Sequence, residues 1–177
     1  GFHDYVLYEK ESTPGGLCRS IEQDGFTFDY TGHLLHISND YFRSLIEKYV
    51  GFDQLNTINR RSYIYSHDTY THYPFQMNLY GLPEHVIVEC ITEYINRPTI
   101  TNPQTFIDLV RTSFGDGFGK HFFYTYQEKI FSVPIEELTA SWTSRFVPST
   151  SLEDILYGAL SPKTEAVGYN AQFFYPK

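Results

Sequence analysis

Cysteine is scarce in this chain: Cys18 and Cys90 are the two it has, and they lie far apart. That leaves no disulfide framework, and neither residue has the spacing of a metal-binding pair. Reduced thiols in a cytosolic protein are the expectation, with Cys18 read as a plain buried thiol. Basic charge is short as well. Lys and Arg number 13 against 21 Asp and Glu, for a formal net charge of -8. Nucleic-acid-binding surfaces are built from clustered Lys and Arg, so a nucleic-acid partner is not expected. No apolar run reaches the ~18 residues that a membrane-spanning helix needs. Internal repeats, low-complexity tracts and long flexible linkers are missing too.

What remains describes a packed protein. The 177 residues suit one domain, or one domain plus part of another. Hydrophobic residues make up 41% and charged residues 19%, which is a globular balance. Aromatics reach 18%, with 16 Tyr and 15 Phe. A core of large residues accounts for such an excess, and so does a pocket lined by rings for a planar or sugar ligand. The two readings are compatible, because Tyr joins an apolar ring to a polar tip.

Strand signals come first along the chain. Tyr5-Val6-Leu7-Tyr8 ends at Glu9 and reads as a short buried strand. The turn Ser12 to Gly16 follows. Leu17 to Gln23 then leads into Asp24-Gly25, a two-residue hairpin signal, and Phe26, Phe28 and Tyr30 alternate with Thr27 and Asp29. A second strand pair is expected at Arg60 to Tyr65 and Thr69 to Pro74, turning at His67-Asp68. Helix signals dominate elsewhere. Phe42, Leu45, Ile46, Tyr49 and Val50 keep the helical period between a Ser38 or Asn39 cap and a Gly51 stop. Pro83 opens a helix through Arg97, with Ile87, Ile91, Tyr94 and Ile95 inward. Asn102 and Pro103 are expected to start another. Its inner face is Phe106, Ile107, Val110 and Phe114, and Gly115 stops it. Lys120 to Phe131 favours a helix. Thr150 and Glu153 have capping-box spacing for a helix through Leu160. Val167 to Tyr175 reads as a strand. Strands and helices do not alternate regularly, so the fold class is expected to be α+β.

The order Tyr5 to Lys10, Pro14-Gly15-Gly16 and Asp24 to His33 carries a resemblance. It is similar to the second strand and following loop of the FAD-binding fold in the superfamily of FAD-dependent amine oxidases, protoporphyrinogen oxidases and UDP-galactopyranose mutases. In that fold an acid at the end of the second strand accepts hydrogen bonds from the adenosine ribose, the place Glu9 takes. Two glycines let the backbone approach the cofactor, as Gly15 and Gly16 would. The resemblance puts Gly32 and His33 near the flavin. Leu17 stands where many relatives carry Arg, so no pyrophosphate contact is assigned to it.

The likeness continues through Tyr73 to Gln76, Phe106 to Gly115, and Tyr126-Gln127-Glu128-Lys129-Ile130-Phe131 with downstream Trp142 and Arg145. It ends at Gly168 to Lys177. Phe131 stands where mutases often have Trp. The resemblance implies a partial FAD-binding, Rossmann-like segment over 1–37, a mixed helix and strand substrate domain over 38–165, and the start of a strand over 166–177. It implies FAD as cofactor and a small-molecule substrate: an amine, a porphyrinogen-like or polyene compound, or a nucleotide sugar.

The Gly-rich turn that cradles the pyrophosphate at a helix N-terminus has no counterpart in these residues. The run Phe114 to Gly119 follows a helix rather than a strand and is expected to be a loop. The resemblance therefore implies a piece of a longer FAD-dependent oxidoreductase of the amine oxidase or protoporphyrinogen oxidase kind, with a UDP-galactopyranose mutase-like isomerase as an alternative; the piece is expected to be inactive alone, to bind FAD weakly or not at all, and to be able to dimerise through sheet edges. Tyr126 and Trp142 are candidates to stack on substrate, with core packing as the alternative. Lys129 and Arg145 are candidate anion contacts, with a surface Lys and a helix-end Arg as the alternative. No catalytic residue is singled out. His67, Asp68 and His72 do not converge as a metal set, since a strand would send the two His to opposite faces. The rival class is a non-catalytic module that binds carbohydrate or protein through its Tyr and Phe.

Overall fold

The computed structural model describes residues 3–32, 34–143, 146–162 and 171–177. The fold is α+β, and the chain divides into two compact units: Gly1–Ile58 with Phe173–Lys177, and Asn59–Gln172. The sequence-expected edge at residue 37 falls inside the first unit.

The first unit opens with the hairpin β1 (Ser20–Gln23) and β2 (Phe26–Asp29), antiparallel with Gln23 opposite Phe26. Asp24 and Gly25 take φ of 53° and 80°, the left-handed pair that a tight right-twisted hairpin requires. Helix α1 (Asp40–Tyr49) starts where Asn39 accepts a hydrogen bond from the Phe42 N–H at 2.7 Å. It stops at Gly51, with φ of 83°. Strand β3 (Leu55–Asn59) lies beside the last strand, Gln172–Pro176. Leu35 and Phe174 exchange backbone hydrogen bonds of 3.2 and 3.0 Å.

The second unit holds the core. Its hairpin, β4 (Tyr63–Ser66) and β5 (Thr69–His72), pairs Ser66 with Thr69 and turns at His67 and Asp68 as the spacing predicts. A buried 3-10 turn, Phe75–Met77, leads to α2 (Glu84–Ile95), α3 (Phe106–Phe114) and the short α4 (Asp116–Phe118). A π-helical turn, Gly119–Phe123, joins α4 to α5 (Tyr124–Phe131). Then comes α6 (Leu152–Leu160). Phe75, Leu79, Val86, Cys90, Phe106, Val110, Phe118 and Ile155 are fully buried in one cluster.

Glycines let α2 and α4 approach closely. A Cβ on Gly117 would lie 2.9 Å from the Glu89 carbonyl oxygen, and one on Gly115 would overlap the Glu93 carbonyl. The Phe114 to Gly119 run is therefore helical and buried, not the expected loop. The glycines serve backbone contact with α2.

Other expectations are corrected. Tyr5 to Glu9 is neither strand nor buried: Leu7 is 84% exposed, and no described strand pairs with the segment. A strand's backbone groups need a partner, and its apolar side chains need a face to cover. Thr105, not Asn102, caps α3, its hydroxyl accepting from the Asp108 N–H at 3.1 Å. Residues 104–106 are held extended by Phe106 N to Leu138 O and Ala140 N to Gln104 O, while Asn102 is left-handed at φ 59°. Ser151, not Thr150, caps α6, bonding the Asp154 N–H at 3.1 Å. The Thr150 carbonyl instead accepts from Tyr94 Oη. Cys18 is exposed in a 3-10 turn, whereas Cys90 is buried. Ile95 faces outward at 58% exposure, and Val86 and Cys90 take the inward positions of α2.

Candidate functional site

In the first unit the sequence-marked residues stand on irregular backbone. Glu9 is exposed, and its Oε1 accepts the Glu11 N–H at 2.9 Å. Gly15 and Gly16 have φ of 116° and 54°, values that favour glycine. No atom lies within 4 Å of a Cβ built on Gly16 or on Gly32. The Glu9 carboxylate is accessible and the backbone at Gly16 is open, whereas a Cβ on Gly15 would lie 3.2 Å from Arg19 Cγ. The second-strand geometry that would aim Glu9 is missing, so the fit is to the doublet and the acid as residue types. His33 and Arg145 lie outside the described residues.

The second unit contains a cavity of about 960 Å³. That is ample for a drug-sized or cofactor-sized ligand, which typically takes roughly 300–1,000 Å³. Strand β4 supplies Tyr63, Ile64 and Tyr65; the π-turn and α5 supply Phe122, Phe123, Tyr126, Gln127, Lys129 and Phe131; Trp142 and Phe146 follow. The sequence candidates Tyr126, Lys129 and Trp142 are thus brought together.

Local structure explains the arrangement. The π-turn closes with Tyr124 N donating to Gly119 O, one residue wider than an α-turn. It helps bury the adjacent Phe122 and Phe123, at 7% and 3% exposure. A stacked column then runs outward from the core: Phe75 on Phe122 at 4.9 Å, and Phe122 on Tyr126 at 4.8 Å. Trp142 stacks on Phe106 at 5.6 Å and meets Phe131 edge-on at 5.0 Å. Tyr126, Phe131 and Trp142 thus pack against neighbouring rings and also line the cavity. The Trp142 Nε1 is buried with no hydrogen-bond partner among the described residues.

The electrostatics of the lining run against the chain as a whole. Arg60 and Lys129 line the cavity and, among the described residues, no Asp or Glu does, in a protein of net charge -8. Arg60 Nε donates to Ser62 Oγ at 2.8 Å, and Lys129 has no ion-pair partner among the described residues. Gln127 is 6% exposed and lines the cavity. Neither Arg60 nor Gln127 was marked as a site residue by sequence reasoning. Gln127 stands inside the Tyr126 to Phe131 block, and its burial on a helix of polar neighbours is a tertiary property.

Helix α4 is tied to α5 and α3. Tyr124 Oη donates to Asp116 Oδ1 at 2.7 Å, and Arg111 Nε to the same oxygen at 3.1 Å. Burial pushes the Asp116 carboxyl up, but these hydrogen bonds outweigh it and hold the group below its usual range. Burial, with the bond to Asp116, raises the Tyr124 phenol. Burial also pushes the Cys90 thiol up to about 12, which leaves it protonated and unreactive. No three His, Cys, Asp or Glu among the described residues converge as a metal site.

The α+β fold is flavoenzyme-like, as two comparisons support. Residues 1–49 match the family of the NAD(P)-binding Rossmann-like domain. The structure is similar to that of reduced UDP-galactopyranose mutase, with a TM-score of 0.81 and 29% identity over 93% of this chain. The match covers 36% of the mutase chain, so this protein spans well under half of that relative's length. The two comparisons support the superfamily that the Glu9 to His33 resemblance names. No described helix is long and apolar enough to cross a membrane.

Proposed function

We propose that this chain carries the substrate pocket, and part of the ribose side of the cofactor site, of a flavin-dependent enzyme acting on a nucleotide sugar. The observation that carries the reading is the cavity lining: aromatic faces, the amide of Gln127, two cations and, among the described residues, no acid. Each element has a complementary group on a nucleotide sugar. A flat base stacks on Tyr126 or the rim tyrosines Tyr63 and Tyr65. Its donor and acceptor edge meets the Gln127 amide, which offers both. The diphosphate is drawn to Arg60 and Lys129, where Arg presents a planar fork to phosphate oxygens. The mutase at 29% identity acts, by its name, on UDP-galactopyranose, and UDP is the natural first probe.

Glu9, Gly15, Gly16 and Gly32 are the residues offered to FAD, which supplies the redox chemistry when bound. The chain's own part is to bind, orient and desolvate the substrate. A second reading is an oxidoreductase acting on a flat, apolar, porphyrinogen-like or polyene substrate. It is favoured by Phe131 and Phe146, which make much of the lining apolar.

Calorimetric titration of the chain with UDP separates these readings. Micromolar to millimolar binding that weakens about tenfold in Lys129→Met, the loss of one charge-assisted contact, supports the nucleotide-sugar reading. Binding of a porphyrin but not of UDP would overturn it.

A further inference from the structure

The β4–β5 hairpin turns on two residues with positive φ, His67 at 50° and Asp68 at 56°. Asn and Gly fill such turns at least cost, and a His there holds its backbone in the sparsely populated left-handed region. The His67 side chain is engaged on both sides. Its Nδ1 faces Ser66 Oγ at 3.1 Å, and its Nε2 faces Nδ1 of His121, in the π-turn, at 3.2 Å. His121 Nε2 lies 2.9 Å from Glu89 Oε2 on α2. Glu89 Oε1 accepts from Lys120 Nζ at 2.9 Å, and Lys120 lies 4.0 Å from Asp116 on α4. His85 on α2 and Asp68 in the turn also act on His67. Glu93 on α2 acts on Lys120.

Counting protons shows what this chain of contacts tolerates. Two imidazole nitrogens hydrogen-bond only when one carries a proton and the other a lone pair. Hydrogen bonds from His121 and Lys120 hold the Glu89 carboxyl down to about 2, so it is an acceptor and His121 Nε2 carries a proton. With both rings neutral, His121 Nδ1 accepts from His67 Nε2–H, and His67 Nδ1 accepts from Ser66. With one proton added, one imidazole is a cation and the other still offers a lone pair, so the contact survives. With two, N–H faces N–H between two cations and the contact is lost. At His67, burial and the neighbouring His121 and His85 disfavour the charged form, while Asp68 favours it.

We propose that the His67–His121 contact is a proton-sensitive latch that fastens the β4–β5 hairpin to the helical wall of the aromatic cavity. The latch sits where two linings meet. Strand β4 brings Tyr63, Ile64 and Tyr65 to the cavity, and Phe122 and Phe123 follow His121 directly. Closed, it keeps the tyrosine wall in register with the stacked column. Doubly protonated, it frees the hairpin tip and widens the cavity. Burial and the neighbouring His121 and His85 hold His67 below its ordinary value of 6.5, which puts opening on the acid side. The consequence for ligand binding rests on the proposed pocket; the latch itself does not.

The test is imidazole nitrogen NMR on the full 177-residue chain from about pH 8 to about pH 5, with amide exchange of residues 63–72 corrected for its intrinsic pH dependence. His67 is expected to titrate below 6.5, with hairpin exchange accelerating about tenfold in the same step. His67→Asn suits the turn and removes the imidazole, so the step should vanish while the hairpin stays formed. A hairpin whose protection ignores the His67 titration, or a step that persists in His67→Asn, overturns the latch. These readouts need no ligand, so a failure to bind UDP would count against the pocket and leave the latch result standing.

Discussion

Gly158 on α6 provides a sharp test of the packing that supports the cavity. A Cβ there would overlap the Met77 carbonyl oxygen and lie 2.5 Å from its carbon and 3.2 Å from Asn78 N. On helix propensity alone, Gly158→Ala would stabilise the helix by about 1 kcal/mol. The obstacle, however, is backbone, which no rotamer change can move. The Gly158 carbonyl also accepts hydrogen bonds from Leu79 N at 2.9 Å and Tyr80 N at 2.8 Å, so α6 cannot retreat without stretching both. Overpacking costs about 1–3 kcal/mol, and two weakened hydrogen bonds add roughly 1 kcal/mol each. The clash therefore outweighs the propensity gain, leaving a net loss of about 2–4 kcal/mol. For a chain of this size that corresponds to a Tm lower by about 5–15 °C. Scanning calorimetry of wild type and variant measures it directly. An unchanged or higher Tm in Gly158→Ala would refute the close approach of α6 to the 75–79 turn.

Phe118→Ala, at a fully buried ring edge-on to Phe75, should cost about 3–5 kcal/mol by chemical denaturation, as large-to-small changes in cores do. Because His67 is held below 6.5, the unfolded chain takes up its proton first; this contribution to stability is full above that pH and declines as pH falls below it. Urea melts across that range should show the decline in wild type and less of it in His67→Asn. For Glu89 the contribution is present above 4.5 and is lost as pH falls towards about 2, which Glu89→Gln should flatten. The chain by itself is expected to bind FAD more weakly than micromolar, since its residues include no Gly-rich turn into a helix N-terminus; calorimetry with FAD reads this directly.

Local signals in the sequence predicted the elements well wherever one residue decided the backbone. Asp24-Gly25, Asn39, Gly51 and Gly115 each act through their own φ or side chain, and each sits where expected. The misses came where distant backbone intervened. Residues 104–106 pair with 138–140, which moved the α3 cap to Thr105. The α2 carbonyls facing Gly115 and Gly117 turned an apparent loop into buried helix. Tyr5 to Tyr8 had a strand's composition, but no described strand lies alongside to pair with it. The candidate site divides in the same way. Tyr126, Lys129 and Trp142 stand out by residue type in a block that resembles a family motif. Arg60, Gln127 and the His67–His121 contact arise from pairings across tens of residues that no local pattern announces.

Trp142 is the only tryptophan in the chain and it lines the cavity, so its emission reports directly on whether the pocket binds a nucleotide. Titration with UDP should give a saturable change in Trp142 fluorescence, shifted to higher concentration by Gln127→Ala and by Lys129→Met. Emission that stays constant up to about millimolar UDP, or a titration curve that neither substitution shifts, would contradict the assignment of this cavity to a nucleotide sugar.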